Sequence, residues 1–213
     1  WKNKGKGTLE RFVVVDIANE EILENPINQF MSWHADAAEA GVHEPDAAVV
    51  SSVDDDGYPS SRFILVRKID DEGFLFFTNY NSDKATSFSR TPKVSLTFGW
   101  FLLHRQVRIL GEIEKTTIEE SDDYFKSRPR GHQLGAWASP QSQIIDNRDV
   151  LVSKYEEISR QFENKEVTRP ENWGGYRVRP SMIEFWQGQP DRLHDRFRFR
   201  KVENKWKAHR LAP

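Results

Sequence analysis

Short runs in which apolar and polar residues alternate fill much of this chain, and such alternation is typical of β-strands. The runs predict eight strands, over residues 47–53, 62–69, 74–79, 93–100, 106–115, 176–186, 192–202 and 206–210. Asp54-Asp-Asp-Gly57 and Asp70-Asp-Glu-Gly73 stand between neighbouring strands and have the composition of hairpin turns. The pattern therefore indicates a series of antiparallel hairpins.

Apolar residues at helical spacing interrupt the strands in a few places. They predict helices from 26 to about 40, from Ser82 onward, over 117–127 and over 146–164, whereas residues 135–140 are expected to be irregular. Residues 12–17 could add a short strand. Together these elements indicate a mainly β fold with inserted helices (α+β), arranged as a closed or partly closed antiparallel barrel. We expect an N-terminal arm over residues 1–25 and a single domain over residues 26–213.

The composition argues against several classes of function. The net charge is −2, so no overall field draws the chain to nucleic acid or to an anionic membrane. No apolar run approaches the ~20 residues of a membrane helix, and the opening residues lack the apolar core of a secretory signal. There is no cysteine and no His-x-x-x-His pair, so we expect a cytoplasmic protein without a metal site. A Gly-x-Gly-x-x-Gly fingerprint and a Walker loop are also absent from the sequence.

Basic and apolar residues alternate between residues 192 and 200. If this segment is extended, one side carries Arg192, His194, Arg196, Arg198 and Arg200, and the other carries Leu193, Phe197 and Phe199 with Asp195 among them. A row of cations is self-repelling unless solvent or an anion offsets the charge. The row is therefore either a solvated strand face or a site for a small anion, and contact with nucleic acid fits poorly with the net charge.

Other basic residues stand beside polar ones earlier in the chain. Arg62 and Arg67 have opposite parity, so on a regular strand they face different sides. Lys84 lies in the first turn of a predicted helix, where backbone N–H groups favour phosphate. Tyr124 and Arg128 are four residues apart, and on one helix face they could grip a phosphate. Each of these residues taken alone is more often a solvated or ion-paired surface group.

Taken together, these segments resemble the pyridoxine (pyridoxamine) 5'-phosphate oxidase family. The matching pieces run in family order from about Pro26 to the last residue. They are Ser61-Arg-Phe-Ile-Leu-Val, Phe76-Phe-Thr-Asn79, Arg105-Gln-Val, Tyr124-Phe-Lys-Ser-Arg-Pro-Arg130, Gly135-Ala-Trp-Ala-Ser-Pro-Gln-Ser142, Trp173-Gly-Gly, Ile183-Glu-Phe-Trp-Gln-Gly188, Arg192-Leu-His-Asp-Arg196 and Arg210-Leu-Ala-Pro213. The resemblance implies an FMN-binding split barrel and a homodimer with FMN at the subunit interface. It also implies oxidation of pyridoxamine or pyridoxine 5'-phosphate to pyridoxal 5'-phosphate, with dioxygen reduced to hydrogen peroxide.

The same motif positions imply residue roles. The FMN-binding residues would be Arg62, Phe77, Thr78, Lys84, Gln106, Gln141, Ser142, Trp186 and Arg196. The substrate-binding residues would be Arg67, Tyr124, Arg128, His132, Arg192 and His194. The last two would also be catalytic, because they would lie against the substrate ring near the reacting carbon.

Three positions depart from the family pattern. The family usually has Lys where this chain has Arg67, Ser where it has His132, and Arg where it has Asp83. A carboxylate at position 83 should repel the FMN phosphate unless it turns away or pairs with a nearby cation.

Two alternatives stay open. One is a split-barrel flavin oxidase that acts on another substrate, such as a phenazine precursor; the other is a non-catalytic protein that binds flavin or pyridoxal phosphate. The pair Tyr124 and Arg128 favours the phosphorylated substrate over the first alternative, and the presence of Arg192 and His194 argues against the second.

Overall fold

The computed structural model describes residues 23–213. The possible strand over residues 12–17 lies outside the described residues, as does the predicted arm except for residues 23–25. The strands are β1 (Ala47–Val53), β2 (Pro59–Asp70), β3 (Gly73–Asn79), β4 (Lys93–Trp100), β5 (Arg105–Lys115), β6 (Trp173–Gln187), β7 (Asp195–Val202) and β8 (Lys205–Leu211). The α-helices are α1 (Pro26–Glu39), α2 (Asp83–Arg90), α3 (Ile118–Ser127), α4 (Arg130–Ala138) and α5 (Arg148–Gln161).

The sheet closes on itself through β3 and β6. The strand order is β3-β2-β1-β4-β5-β6, and β3 pairs again with β6, so these six antiparallel strands form a barrel. Strands β7 and β8 extend the sheet outward from β6. Gly57 (φ 85°) and Gly73 (φ 133°) provide the positive φ angles that the two predicted hairpin turns require. The predicted antiparallel barrel with inserted helices is confirmed.

Helix α1 packs against the barrel core through Phe30. The helix begins where the side chain of Asn25 accepts a hydrogen bond from the N–H of Ile27, followed by a proline at the first helical position. Phe30 is fully buried, and its ring centroid lies 4.7 Å from that of Phe98 and 5.0 Å from that of Phe74, both in edge contacts. Such close packing makes α1 part of the core and not a surface addition.

A second apolar cluster is separate from the barrel core and joins α3, α4 and α5. Its buried members are Phe125, Leu134, Ala138, Ile158, Phe162, Val167 and Trp173. Because Trp173 is the first residue of β6, this cluster attaches the three helices to the sheet. A candidate ligand site lies along that junction.

Residues 130–138 form a helix, so the prediction of irregular structure is wrong for residues 135–138. Gly131 and Gly135 reduce the intrinsic helix propensity of the segment. Leu134 and Ala138, four residues apart, nevertheless bury one face of α4 in the second cluster, and this burial outweighs the propensity. Helix α5 is also shorter than the predicted 146–164, because Asn147 caps its start by accepting from two backbone N–H groups.

Strand β7 begins at Asp195, not at residue 192. Asp191 and Arg192 have φ angles of 55° and 61°, in the left-handed region, so the chain turns there and is not extended. The alternation holds from Asp195 onward, where Asp195, Phe197 and Phe199 are buried. The prediction that five basic residues line one strand face is therefore wrong for Arg192, and His194 lies just before the strand.

Across residues 23–213, none of the helices combines the length and the apolar character that crossing a membrane would require.

Candidate functional site

A cavity of about 800 Å³ lies between the outer side of β2 and β3 and the helices α2, α3 and α4. Its volume is in the range of pockets that hold small organic ligands. Among the residues that line it are nine of those to which the sequence assigned a role: Arg62, Arg67, Phe77, Thr78, Lys84, Tyr124, Arg128, His132 and Gln141. The structure thus brings both predicted phosphate-binding groups into one space.

The first cation pair in this cavity is Arg62 and Lys84. Arg62 on β2 donates to Ser52 Oγ and to the carbonyl of Ser60, each at 2.9 Å, which fixes the guanidinium. Lys84 is only 7% exposed, and its Nζ donates to Thr78 Oγ1 at 3.2 Å. Burial, together with the nearby positive charge of Arg62, lowers the pKa of Lys84. A bound anion would relieve this unfavourable pairing of like charges.

Asp83 lies beside this cation pair and is exposed. Its negative charge favours the charged forms of Arg62 and Lys84, and so it acts to raise the pKa of both, although burial prevails and the pKa of each stays lowered. The carboxylate therefore lies close enough to act on both cations, although within residues 23–213 it forms no salt bridge with either.

The second cation pair is Arg67 and Arg128. Burial lowers the pKa of Arg128; Tyr124 acts in the opposite direction, and the positive charge of Arg67 adds a smaller lowering effect. Within residues 23–213, Nη1 of Arg128 is buried and has no hydrogen-bond partner. A buried donor without a partner is costly, so this atom fits an anion in the cavity. Arg67 differs from Arg128 in two ways: its side chain is partly exposed, and its Nη1 already pairs with Asp46 at 3.1 Å.

Arg62 and Arg67 line the same cavity, as do the consecutive residues Phe63 and Ile64 between them, so the prediction that the two arginines face different sides of the strand stays a prediction. The pairing of β2 with β3 shifts register between Val66 and Lys68, which places Arg67 in a β-bulge. A bulge inserts an extra residue and redirects the side chains beside it. Strand parity could not reveal this irregularity beside Arg67.

One wall of the cavity consists of three nearly parallel aromatic rings. The ring of Phe77 lies 3.8 Å from that of Tyr124, at 11° between planes, and 5.6 Å from that of Trp173, at 10°. The sequence assigned roles to Phe77 and Tyr124 but used Trp173 only as part of a matching motif. The two glycines that follow Trp173 were the sequence signal for close packing at this position. A side chain at Gly174 would overlap Tyr80, and one at Gly175 would overlap Thr116, so β6 must pass very close to its neighbours here.

Three further residues to which the sequence assigned a role lie at or near the cavity: His132, Gln141 and Ser142. His132 is exposed on α4. Gln141 accepts from Thr78 Oγ1 at 3.3 Å and from the N–H of Asn79 at 3.4 Å. Ser142 follows in an exposed turn with φ 70° and does not line the cavity.

A second group of predicted residues forms a row across three strands. Gln106 on β5 pairs with Trp186 on β6, and Trp186 pairs with Arg196 on β7. Glu184 fixes the arginine of this row through a hydrogen bond. It is 2% exposed and accepts from Arg196 Nη2 at 2.8 Å and from Arg198 Nε at 2.9 Å. Burial alone would raise the pKa of Glu184, but the hydrogen bonds from the two arginines outweigh it and lower the pKa. Arg198 is thus an ion-paired residue, whereas Arg200 is exposed as expected.

Arg192 and His194 lie next to this row, in the turn before β7. The ring of His194 lies 4.7 Å from that of Trp186, and its Nδ1 accepts a hydrogen bond from the N–H of Gln189 at 3.1 Å. A neutral His194 therefore carries its proton on Nε2, where it can donate to a ligand. Arg192 is exposed, and its left-handed φ angle directs the chain sharply into β7.

The two groups are separate within one chain. None of Gln106, Trp186, Arg192, His194 and Arg196 lines the cavity that holds the two cation pairs. The cavity can bind an extended dianionic ligand or two phosphorylated ligands, and the row offers a stacking ring, an arginine and a histidine donor. The cavity alone lacks the histidine donor, and the row alone lacks the two cation pairs.

Two family profiles match this chain. The family profile described as pyridoxamine 5'-phosphate oxidase matches residues 35–162, and the one described as pyridoxine 5'-phosphate oxidase C-terminal dimerisation region matches residues 173–213.

Individual relatives match over nearly the whole chain. The chain is 46% identical over 197 residues to a pyridoxine/pyridoxamine 5'-phosphate oxidase of Dichelobacter nodosus, covering 92% of this chain and 93% of that one. It is 43% identical over 207 residues to the protein of the same name from Salinibacter ruber, covering 96% of each. Among solved structures, PhzG from Burkholderia lata in complex with tetrahydrophenazine-1-carboxylic acid has a TM-score of 0.88 at 30% identity, covering 94% of this chain and 98% of that chain.

Proposed function

Because this chain belongs to the pyridoxine/pyridoxamine 5'-phosphate oxidase family, we propose that it oxidises pyridoxamine or pyridoxine 5'-phosphate to pyridoxal 5'-phosphate with FMN as cofactor. Dioxygen would be the final acceptor and hydrogen peroxide the second product. With the amine substrate, water enters and ammonia leaves, so that the atoms balance.

The observation that carries this proposal is the presence of two cation pairs in one cavity. Arg62 with Lys84, and Arg67 with Arg128, are each close enough that one member lowers the pKa of the other. FMN and the substrate each carry one phosphate, so the reaction needs two separate cationic positions. The unsatisfied Nη1 of Arg128 supports the second position in particular.

The residues present fit FMN. Arg62, Thr78 and Lys84 would hold its phosphate, supported by a network of hydrogen bonds that already orients them. When bound, FMN would supply the hydride acceptor for the substrate carbon C4'. The protein's contribution is to exclude water and to hold the two ligands in contact. Gln106, Trp186 and Arg196 would complete the cofactor site.

The substrate would be held by residues from both groups. Tyr124 and Arg128, with Arg67 and His132 at the edge of the cavity, would bind its phosphate. Arg192 would lie against the substrate ring, and Nε2 of His194 would donate a hydrogen bond to the substituent on C4'. Nε2 can donate because Nδ1 of the neutral ring already accepts the hydrogen bond from Gln189.

We propose that the complete site forms between two subunits of a homodimer. The match of residues 173–213 to a dimerisation region supports this assembly, as does the separation of the two residue groups in one chain. One subunit would provide the cavity and the other the row with Arg192 and His194. A cytoplasmic location, expected from the sequence, stays a prediction.

A second candidate function is oxidation of a phenazine precursor, favoured by the structural match to PhzG. The ligand named in that structure is a carboxylic acid without a phosphate. The second cation pair, Arg67 and Arg128, together with Tyr124, suits a phosphorylated substrate better. The relatives at 43–46% identity also carry the name of the phosphate oxidase.

Turnover of purified protein tests the proposal. We expect visible flavin absorbance and, on addition of pyridoxamine 5'-phosphate, formation of aldehyde and hydrogen peroxide in equal amounts. Dihydrophenazine carboxylic acids should react far more slowly. Bound flavin without turnover of either phosphate ester would contradict the enzymatic proposal and favour a non-catalytic binding protein; preferential turnover of the phenazine compound would favour the second candidate.

A further inference from the structure

We propose that Trp173 is a positioning residue that orients Arg128 and Tyr124 as a single phosphate-binding unit. This inference rests on the proposed function, because it concerns how the substrate phosphate is bound. Trp173 itself would act through its two neighbours and would not need to contact the substrate.

The first support is the way Arg128 is held. Its guanidinium carbon lies 4.5 Å from the centroid of the Trp173 ring and 5.8 Å from that of Phe125. Within residues 23–213, the Arg128 side chain makes neither an ion pair nor a hydrogen bond, and Nη1 is buried. Arg128 also follows the last residue of α3 with extended backbone angles, so the helix does not fix its direction. Contact with the ring faces is what remains to orient the guanidinium.

The second support is the alignment of Tyr124 with the same ring. The planes of Tyr124 and Trp173 differ by only 6° with ring centroids 6.3 Å apart, and Phe77 is nearly parallel to both and lies 3.8 Å from Tyr124. The close contact with Phe77, with Trp173 nearly parallel and nearby, limits rotation of the tyrosine ring. The Tyr124 hydroxyl is therefore set relative to the ring that also sets Arg128.

The third support is that the Trp173 backbone is tied to helix α3. Arg169 donates from Nη1 to the carbonyl of Trp173 at 2.7 Å and from Nε to Asp122 on α3 at 2.6 Å. The N–H of Gly175 donates to Ser121 Oγ, also on α3, at 3.1 Å. The start of β6 and the helix that carries Tyr124 are thus held as one piece, and Trp173 links both to Arg128.

Replacement of Trp173 tests this role in a double-mutant cycle with Arg128. We expect Trp173→Leu to lower kcat/KM for pyridoxamine 5'-phosphate about tenfold, as expected when a desolvated cation–π contact is lost. The affinity for FMN should change less than about twofold. In the Arg128→Ala background, Trp173→Leu should have a clearly smaller effect, because only its action through Tyr124 remains.

Two further variants separate positioning from general loss of packing. Trp173→Phe keeps an aromatic face and should lower kcat/KM only about threefold; it also serves if the leucine variant does not fold. Trp137→Leu is the matched control, because Trp137 packs on the same cluster, 5.4 Å from Phe162, but is not in contact with Arg128. It should leave kcat/KM within about twofold. An equal loss from Trp137→Leu, or the same loss from the Trp173 variants with and without Arg128, would overturn the proposal.

Binding of inorganic phosphate to the flavin-loaded protein distinguishes this inference from the proposed function. If the wild type does not oxidise pyridoxamine 5'-phosphate, the proposed function fails. The inference would still be supported if Trp173→Leu and Arg128→Ala weakened phosphate binding to a similar extent in calorimetry, and it would be overturned if Trp173→Leu left that binding unchanged.

Discussion

Arg128→Ala is expected to lower kcat/KM for pyridoxamine 5'-phosphate by about a hundredfold, mainly through a higher KM. A charge-assisted hydrogen bond contributes about 1.5–3 kcal/mol, and the fork of Arg128 could make two such bonds to a phosphate. Its buried Nη1 has no partner within residues 23–213, so the ligand is the group that would satisfy it. The loss should be largest at low substrate concentration, where kcat/KM governs the rate.

The affinity for FMN provides the internal comparison for this variant. It should stay within about twofold of the wild type, because the first cation pair, Arg62 and Lys84, is left intact. Arg130→Ala is a suitable control: Arg130 donates to the carbonyls of Lys165 and Phe162 and does not line the cavity. A parallel loss of FMN affinity in Arg128→Ala would move this arginine to the cofactor phosphate.

Arg192→Ala should lower turnover by about a hundredfold while the protein keeps its FMN. Arg192 is exposed in a turn and lies outside the cavity, so its removal should leave the melting temperature almost unchanged. The expected loss comes from the substrate ring, which would no longer be held in reacting geometry. Stopped-flow reduction of the bound flavin, compared with the flavin content after gel filtration, separates the two effects.

Arg200→Ala is the matched control for that variant. It removes an exposed arginine from the same C-terminal segment, at a position to which no ligand role is assigned. It should leave both turnover and flavin content unchanged. If Arg192→Ala lost flavin and turnover to the same extent, Arg192 would belong to the cofactor site.

The hairpins of the barrel were predictable from the sequence because their signals are local. Glycine-containing turns at Gly57 and Gly73 separate runs of alternating residues, and each run pairs with its neighbour. The closure of the barrel through β3 and β6 depends on residues about a hundred positions apart, and the sequence could indicate it only as a class of fold. Helix α4 was missed because tertiary burial of Leu134 and Ala138 outweighed two glycines.

The sequence could also predict the candidate site only in part. Motif positions indicated which residues belong to the cavity, but not the register shift beside Arg67 or the left-handed turn at Arg192. Both are irregularities of the backbone that a period of two cannot express. Trp173 was overlooked because its role depends on the faces of rings that are distant in sequence.

Strand β6 has one more consequence for the proposed homodimer. Trp173 at its start lies beside the cavity, and Trp186 near its end belongs to the other residue group, roughly 40 Å further along an extended strand. Each subunit would therefore give half of its functional residues to each of two catalytic centres. In a mixed dimer of one Arg128→Ala and one Arg192→Ala subunit, both defects fall in the same centre and the other centre is intact. Two inactive proteins, once their subunits exchange, should complement each other and recover about half the wild-type activity per mixed dimer, as expected for closed two-fold assemblies with composite sites.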